Sequence, residues 1–125
     1  MKPNSFYDIS GTLHKALPEH LAQALRDALG PVEAKEQFVG MTLVHEADNA
    51  RLATSTSYED GSLWTLNADF EGQPADFEAW FGGIIAQLDG ADLAYCLDYA
   101  EVDEVGNDLS EEVTVEHSEF EARTP

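Results

Sequence analysis

RLATSTSYEDGSLWTLNADF, residues 51–70, decides how this chain folds. Two β-rich runs flank Asp60-Gly61, a pair suited to a tight turn with positive φ. Beyond the turn, Trp64, Leu66, Ala68 and Phe70 alternate with Leu63, Thr65, Asn67 and Asp69. A period of two with one apolar phase is the signature of a strand buried on one side. A strict two-residue loop sets Trp64 opposite Ser57 and Leu66 opposite Ser55. Serines make a poor core face, so a bulge or another register stays open.

The same alternation appears at the start of the chain. In SFYDISGTL, residues 5–13, Tyr7, Ile9, Gly11 and Leu13 oppose Phe6, Asp8, Ser10 and Thr12, which predicts a first strand. LPEHLAQALRDALGP changes the period. Leu17, Leu21, Leu25 and Leu29 recur at four-residue steps, with Ala24 and Ala28 beside them. Pro18 and Glu19 suit a first helical turn, and Gly30-Pro31 ends it. QFVGMTLVH, residues 37–45, alternates poorly and reads as a strand buried on both faces, with ADNA as the following turn.

A second helix is predicted in EGQPADFEAWFGGIIAQLDG, where Phe77, Trp80, Phe81, Ile84 and Leu88 form one stripe. Gly82-Gly83 interrupts it at a cost of about 1 kcal/mol per glycine. Close packing of the helix on a sheet is the expected reason. ADLAYCLDYAEV follows as a strand with Leu93, Tyr95, Leu97 and Tyr99 on one side. VGNDLS is a loop, and EEVTVEH is a last strand with Val113 and Val115 inward. The expected fold is one α+β domain over residues 1–125, frayed from 119. It has five to six strands in a mainly antiparallel sheet, a mixed sheet being left open, and two helices on one face. A ferredoxin-like arrangement with added strands is one version.

Charge is the most unusual property. The chain carries 25 acids against 6 lysines and arginines, a formal net charge of -19. Residues 1–62 hold nine acids and five bases, whereas residues 63–125 hold sixteen acids and one base. No lysine or arginine lies between Arg51 and Arg123. Ordinary acidic surfaces intersperse compensating cations. A polyanion of this kind opposes direct binding to nucleic acid or anionic membrane and attracts basic proteins. A hydrophobic content of 43% argues against a disordered chain. The N-terminus shows no signal-peptide pattern, no membrane span is visible, and a lone Cys96 suits a reducing compartment, so a cytoplasmic location is expected.

The motifs of familiar chemistries are missing. His14, His20, His45 and His117 make no zinc spacing, and His45-Glu46 with Asp48 reads better as a polar strand end. No serine sits in GxSxG, and no glycine pattern forms a phosphate loop. Cys96 reads as a small buried residue whose acidic neighbours would raise its pKa. A twelve-residue calcium loop would run from Glu101 through Asp103 and Gly106 to Glu112, but Val105 and Leu109 stand where ligands belong. A non-enzymatic protein with no cofactor and no dedicated metal site is expected.

The acids themselves are the candidate site. Same-face strand neighbours lie about 6.6–6.8 Å apart, close to the separation of successive phosphates on one DNA strand. Asp69 with Glu71, Glu101 with Asp103, and Glu112 with Glu116 flanking Thr114 are the expected rows. Asp98, Glu104, Asp108 and Glu111 extend them, and Tyr58, Tyr99 and Phe120 are candidate apolar anchors. In size, single-cysteine composition, α/β character and clustered acids, the chain resembles the broad class of small acidic DNA-mimic proteins. These include phage and mobile-element inhibitors of restriction and CRISPR effectors. The class shares no single fold, so the resemblance implies a mode and no residue roles: occupation of a basic, nucleic-acid-binding surface. The expected partner is a basic protein such as a nucleic-acid-binding protein or nuclease complex, met by a monomer or small homo-oligomer. Immunity protein against a basic toxin, and small adaptor, are the alternatives.

Overall fold

The computed structural model describes residues 5–36, 40–57, 62–103, 105 and 107–116. These form β1 (Ser5–His14), α1 (Pro18–Leu29), β2 (Glu33–Glu36), β3 (Met41–Ala47), β4 (Ala50–Thr56), β5 (Leu63–Gly72), α2 (Pro74–Gly90), β6 (Ala94–Val102) and β7 (Val113–Glu116). The strands make one open sheet in the order β2-β3-β4-β5-β1-β6-β7. Every neighbouring pair is antiparallel.

β1 lies inside this sheet. It pairs with β5 from Ser5↔Gly72 to His14↔Leu63, and with β6 from Phe6↔Val102 to His14↔Ala94. Its phase therefore sets the phase of both neighbours. Tyr7, Ile9 and Leu13 align with Phe70, Ala68 and Trp64 on one side and with Glu101, Tyr99 and Tyr95 on the other. Both helices join this apolar face in a single core through Leu21, Leu25, Phe77, Phe81, Ile84 and Leu88. Phe77 stacks on Tyr7 at 4.0 Å between ring centroids and on Phe81 at 5.5 Å. Such pairs contribute about 0.5–1.5 kcal/mol each beyond the area they bury. Trp64 is fully buried and donates Nε1–H to the Ala16 carbonyl at 2.8 Å, which fixes the turn between β1 and α1.

α1 begins and ends where proline and glycine direct it: Pro18 opens the first turn and Gly30 stands at the C-cap with φ 106°. Leu21 and Leu25 are buried, but Leu17 sits at the N-cap and is half exposed, outside the stripe expected for it.

Three expectations need correction. The sheet has seven strands among the described residues, where five to six were expected. The addition is β2, EAKE, whose residues are all exposed. An edge strand with no apolar phase leaves no periodic signal. The β4–β5 register also differs by one residue from the strict-loop reading. Leu66 faces Thr54, and Ser55 faces Thr65. This shift puts Ala50, Leu52, Thr54 and Thr56 on the buried side and turns Ser55 to the opposite face. Thr54 and Thr56 are tolerated inside because their hydroxyls donate to the Thr65 and Leu63 carbonyls at 2.9 and 2.6 Å. The Asp60-Gly61 turn lies outside the described residues.

The third correction concerns Gly82-Gly83. Beyond the helix's own nearby backbone, a methyl group added at either would meet nothing within 4 Å, so close packing on the sheet is not their reason. The two glycines weaken α2 without a packing return. Gly82→Ala and Gly83→Ala are each expected to stabilise the protein by about 0.5–1 kcal/mol in urea unfolding, with the m-value unchanged.

Candidate functional site

The helices cover one face of the sheet. The opposite face mixes small polar residues with acids and with Phe6, Val44, Ala53, Ala100 and Val102. One cross-strand row runs Thr42, Ser55, Thr65, Thr12, Cys96 and Glu116. The next row includes Asn67, Ser10, Asp98 and Thr114. A third places Glu46, Arg51, Asp69 and Asp8 side by side.

In that third row Asp69 stands directly across from Asp8, and both are exposed. Like charges in directly opposed positions destabilise a strand pair. Arg51 is the neighbouring cation, and its Nε is 3.2 Å from Glu46 Oε1 in an exposed ion pair. At this end of the sheet a shallow depression of about 410 Å³ is bordered by Asp8, Asp48, Asp69, Glu71 and Asp103, with Arg51 among them. The β3–β4 turn is tied to the depression. Glu71 N donates to the Asn49 carbonyl at 2.8 Å, and Asn49 Nδ2 donates to the Glu71 carbonyl at 3.0 Å.

The predicted acids therefore divide. Asp69, Glu71 and Asp103 come together at the depression, joined by Asp8 and Asp48. Asp98 and Glu116 share the open face one and two rows further along the strands. Thr114 Oγ1 donates to Asp98 at 2.5 Å, and the Cys96 thiol lies 3.7 Å from Glu116 Oε1. Burial, Glu116 and Asp98 push the Cys96 thiol above its ordinary pKa, which makes it a poor nucleophile near neutrality. Asp108, Glu111 and Glu112 are exposed on the segment between β6 and β7. Glu104 lies outside the described residues.

Two expectations fail on this geometry. Glu101 and Asp103 do not form a displayed row. Glu101 is aligned with Tyr7 on the helix-covered side and is half-buried, while Asp103 lies past the strand end. Asp103 organises its own loop: Oδ1 accepts from Val105 N at 3.0 Å and Asn107 N at 2.8 Å, and Oδ2 accepts from Asn107 Nδ2 at 3.2 Å. The loop returns to β6, where Leu109 N donates to the Glu101 carbonyl at 2.7 Å. Tyr99 is not a surface anchor. Its ring packs 5.1 Å from Phe77 and 5.0 Å from Phe81, on the core side. Tyr58 and Phe120 lie outside the described residues.

His45 and Glu46 also separate. His45 is buried on the core side, its Nδ1 2.8 Å from the Pro31 carbonyl and so the protonated nitrogen, while Glu46 pairs with Arg51 on the open face. Among the described residues no group of three or more His, Cys, Asp or Glu is arranged to hold a metal ion. No helix among them is long and apolar enough to cross a membrane.

Comparison with family models, curated proteins and solved structures found no match for this chain. The functional reading rests on geometry and charge.

Asp8 and Asp48 were missed by sequence reasoning. Asp8 occupies the polar phase of β1, but nothing local says that β5 lies beside it. Because Asp103 satisfies backbone N–H groups, Asp103→Ala is expected to lower stability by about 1–2 kcal/mol, measured by thermal or urea unfolding. Glu112→Ala, on the same segment, is expected to leave stability unchanged.

Proposed function

We propose that this chain is a non-enzymatic acidic binding protein that occupies a basic, nucleic-acid-binding surface of a target protein, acting as a nucleic-acid mimic. The observation that carries the reading is the opposed Asp8–Asp69 pair at the bordered depression, with Arg51 as the one lysine or arginine lining it among the described residues. A fold selected for stability alone gains from placing a cation opposite Asp69 on β1. Two carboxylates there cost stability and raise local negative potential, the trade expected where a positive partner completes the surface.

The architecture supports the same reading. We read β4-β5-β1-β6, crossed on one side by α1 and α2, as a ferredoxin-like unit extended by β2, β3 and β7. Such a unit leaves one face of its sheet bare. Here the carboxylates of that face stand on paired strands. Carboxylates held on strands need less ordering on binding than those of a disordered tail.

The reading has a two-sided test. Asp8→Asn with Asp69→Asn relieves repulsion, so the melting temperature is expected to rise at low salt, with the gain fading as salt screens it. Binding to a panel of structured basic DNA- and RNA-binding proteins, followed by calorimetry, is expected to be saturable for at least one member and competed by duplex DNA. The double variant is expected to bind that member about tenfold more weakly, equivalent to about 1.4 kcal/mol. Glu19→Gln and Glu33→Gln serve as controls away from the depression. Equal losses from both sets would refute the assignment of the surface.

A further inference from the structure

The two edges of the sheet are built differently. β2, at one edge, is EAKE, every residue exposed, with Lys35 between acids. Charged side chains, lysine above all, guard an edge against a further strand. β7, at the other edge, is VTVE. It has no lysine, arginine or proline, and among the described residues no strand lies beyond it. Its outer backbone groups form the row that an added strand would use.

A second observation falls on the same segment. Four large apolar side chains are exposed among the described residues: Leu17, Val105, Leu109 and Val113. Three of the four lie within nine residues leading into β7. Val105 is 82% exposed and Leu109 61%. Single exposed apolar residues need no explanation, but a group beside a sheet edge does. Between and around them stand Asp108, Glu111, Glu112 and Glu116, all exposed.

We propose that β7 is a docking edge for an extended strand of a basic partner, in which lysine or arginine alternates with apolar or hydroxyl residues. This rests on the binding role proposed above and adds its mode. Backbone hydrogen bonds to the β7 edge supply register, Leu109 and Val113 supply apolar contact, and the four carboxylates select the positive strand. A second copy of this chain is the wrong occupant. Pairing two β7 edges brings Glu111, Glu112 and Glu116 of each chain together on bodies that each carry -19.

The probe is a synthetic eight-residue peptide alternating lysine with threonine or valine, titrated against the full chain by fluorescence anisotropy. Two further isomers carry N-methyl groups on alternate backbone nitrogens, one on the odd and one on the even positions. Strand addition uses one edge of the peptide. One isomer is therefore expected to lose at least tenfold in affinity and the other to bind like the parent. Leu109→Ser with Val113→Ser is expected to weaken the parent about fivefold at an unchanged melting temperature. If both isomers bind like the parent, charge alone holds the peptide and strand addition is overturned, while the acidic-binder reading stands. If the parent does not bind, strand addition is overturned as well, and the panel of structured basic proteins reports separately on the broader reading. Selective loss from one isomer supports the docking edge.

Discussion

The pairing of β1 with β5 on one side and β6 on the other is the constraint from which the rest follows. Ten consecutive residues of β1 are in register with β5 and nine with β6. A slip of one residue in either ladder would move Trp64, Leu66 and Phe70, or Tyr95 and Leu97, out of the core. Gly11 records how closely the ladder is fitted. A Cβ there would stand 2.1 Å from the Cys96 carbonyl oxygen, so no larger residue fits opposite β6 without backbone movement. Once that register holds, one face is apolar and takes both helices, and the other carries the Asp8, Asp69 and Asp98 carboxylates among small polar and apolar residues.

That asymmetry joins the two unusual properties of the chain. Charge of -19 would oppose compaction if it were spread through the elements. Instead the aromatic cluster of Tyr7, Phe70, Phe77, Trp80, Phe81 and Tyr99 lies between α2 and the sheet, and the carboxylates stay out of it, on the exposed sides of the helices, the open sheet face, the strand ends and the β6–β7 segment. Asp103 belongs to both worlds. It borders the depression and also closes the loop that follows β6. A carboxylate used in this way is a poor choice for testing electrostatics, because removing it alters the scaffold as well as the charge.

Much of this was legible from local periodicity. The alternation in residues 5–13 and 63–70, the leucine steps of α1 from Leu21 onward and the aromatic stripe of α2 each named the buried side correctly, because a period is a local property. Tyr99 was legible too: it shares its phase with Leu93, Tyr95 and Leu97, and that phase is the core. Reading it as an anchor gave weight to its acidic neighbours over its own position in the strand. What stayed hidden was non-local. Glu33–Glu36 pairs with β3 without an apolar pattern of its own, and nothing local distinguished the β4–β5 register, with Leu66 across from Thr54, from the one shifted by a residue. The depression depended on strand order, since Asp8 and Asp69 are 61 positions apart in the chain and adjacent in the sheet.

The central claim is that the bare sheet face and the adjoining β7 edge meet the partner, while the helical face does not. The most direct measurement is a two-dimensional amide NMR titration of the ¹⁵N-labelled chain with the tightest binder from the basic-protein panel. The account predicts that shifts concentrate at Asp8, Asp48, Asp69 and Glu71 and along Leu109–Glu116, with α1 and the outward face of α2 unmoved. Shifts centred on the helices, or spread evenly over every acidic residue of the chain, would contradict it.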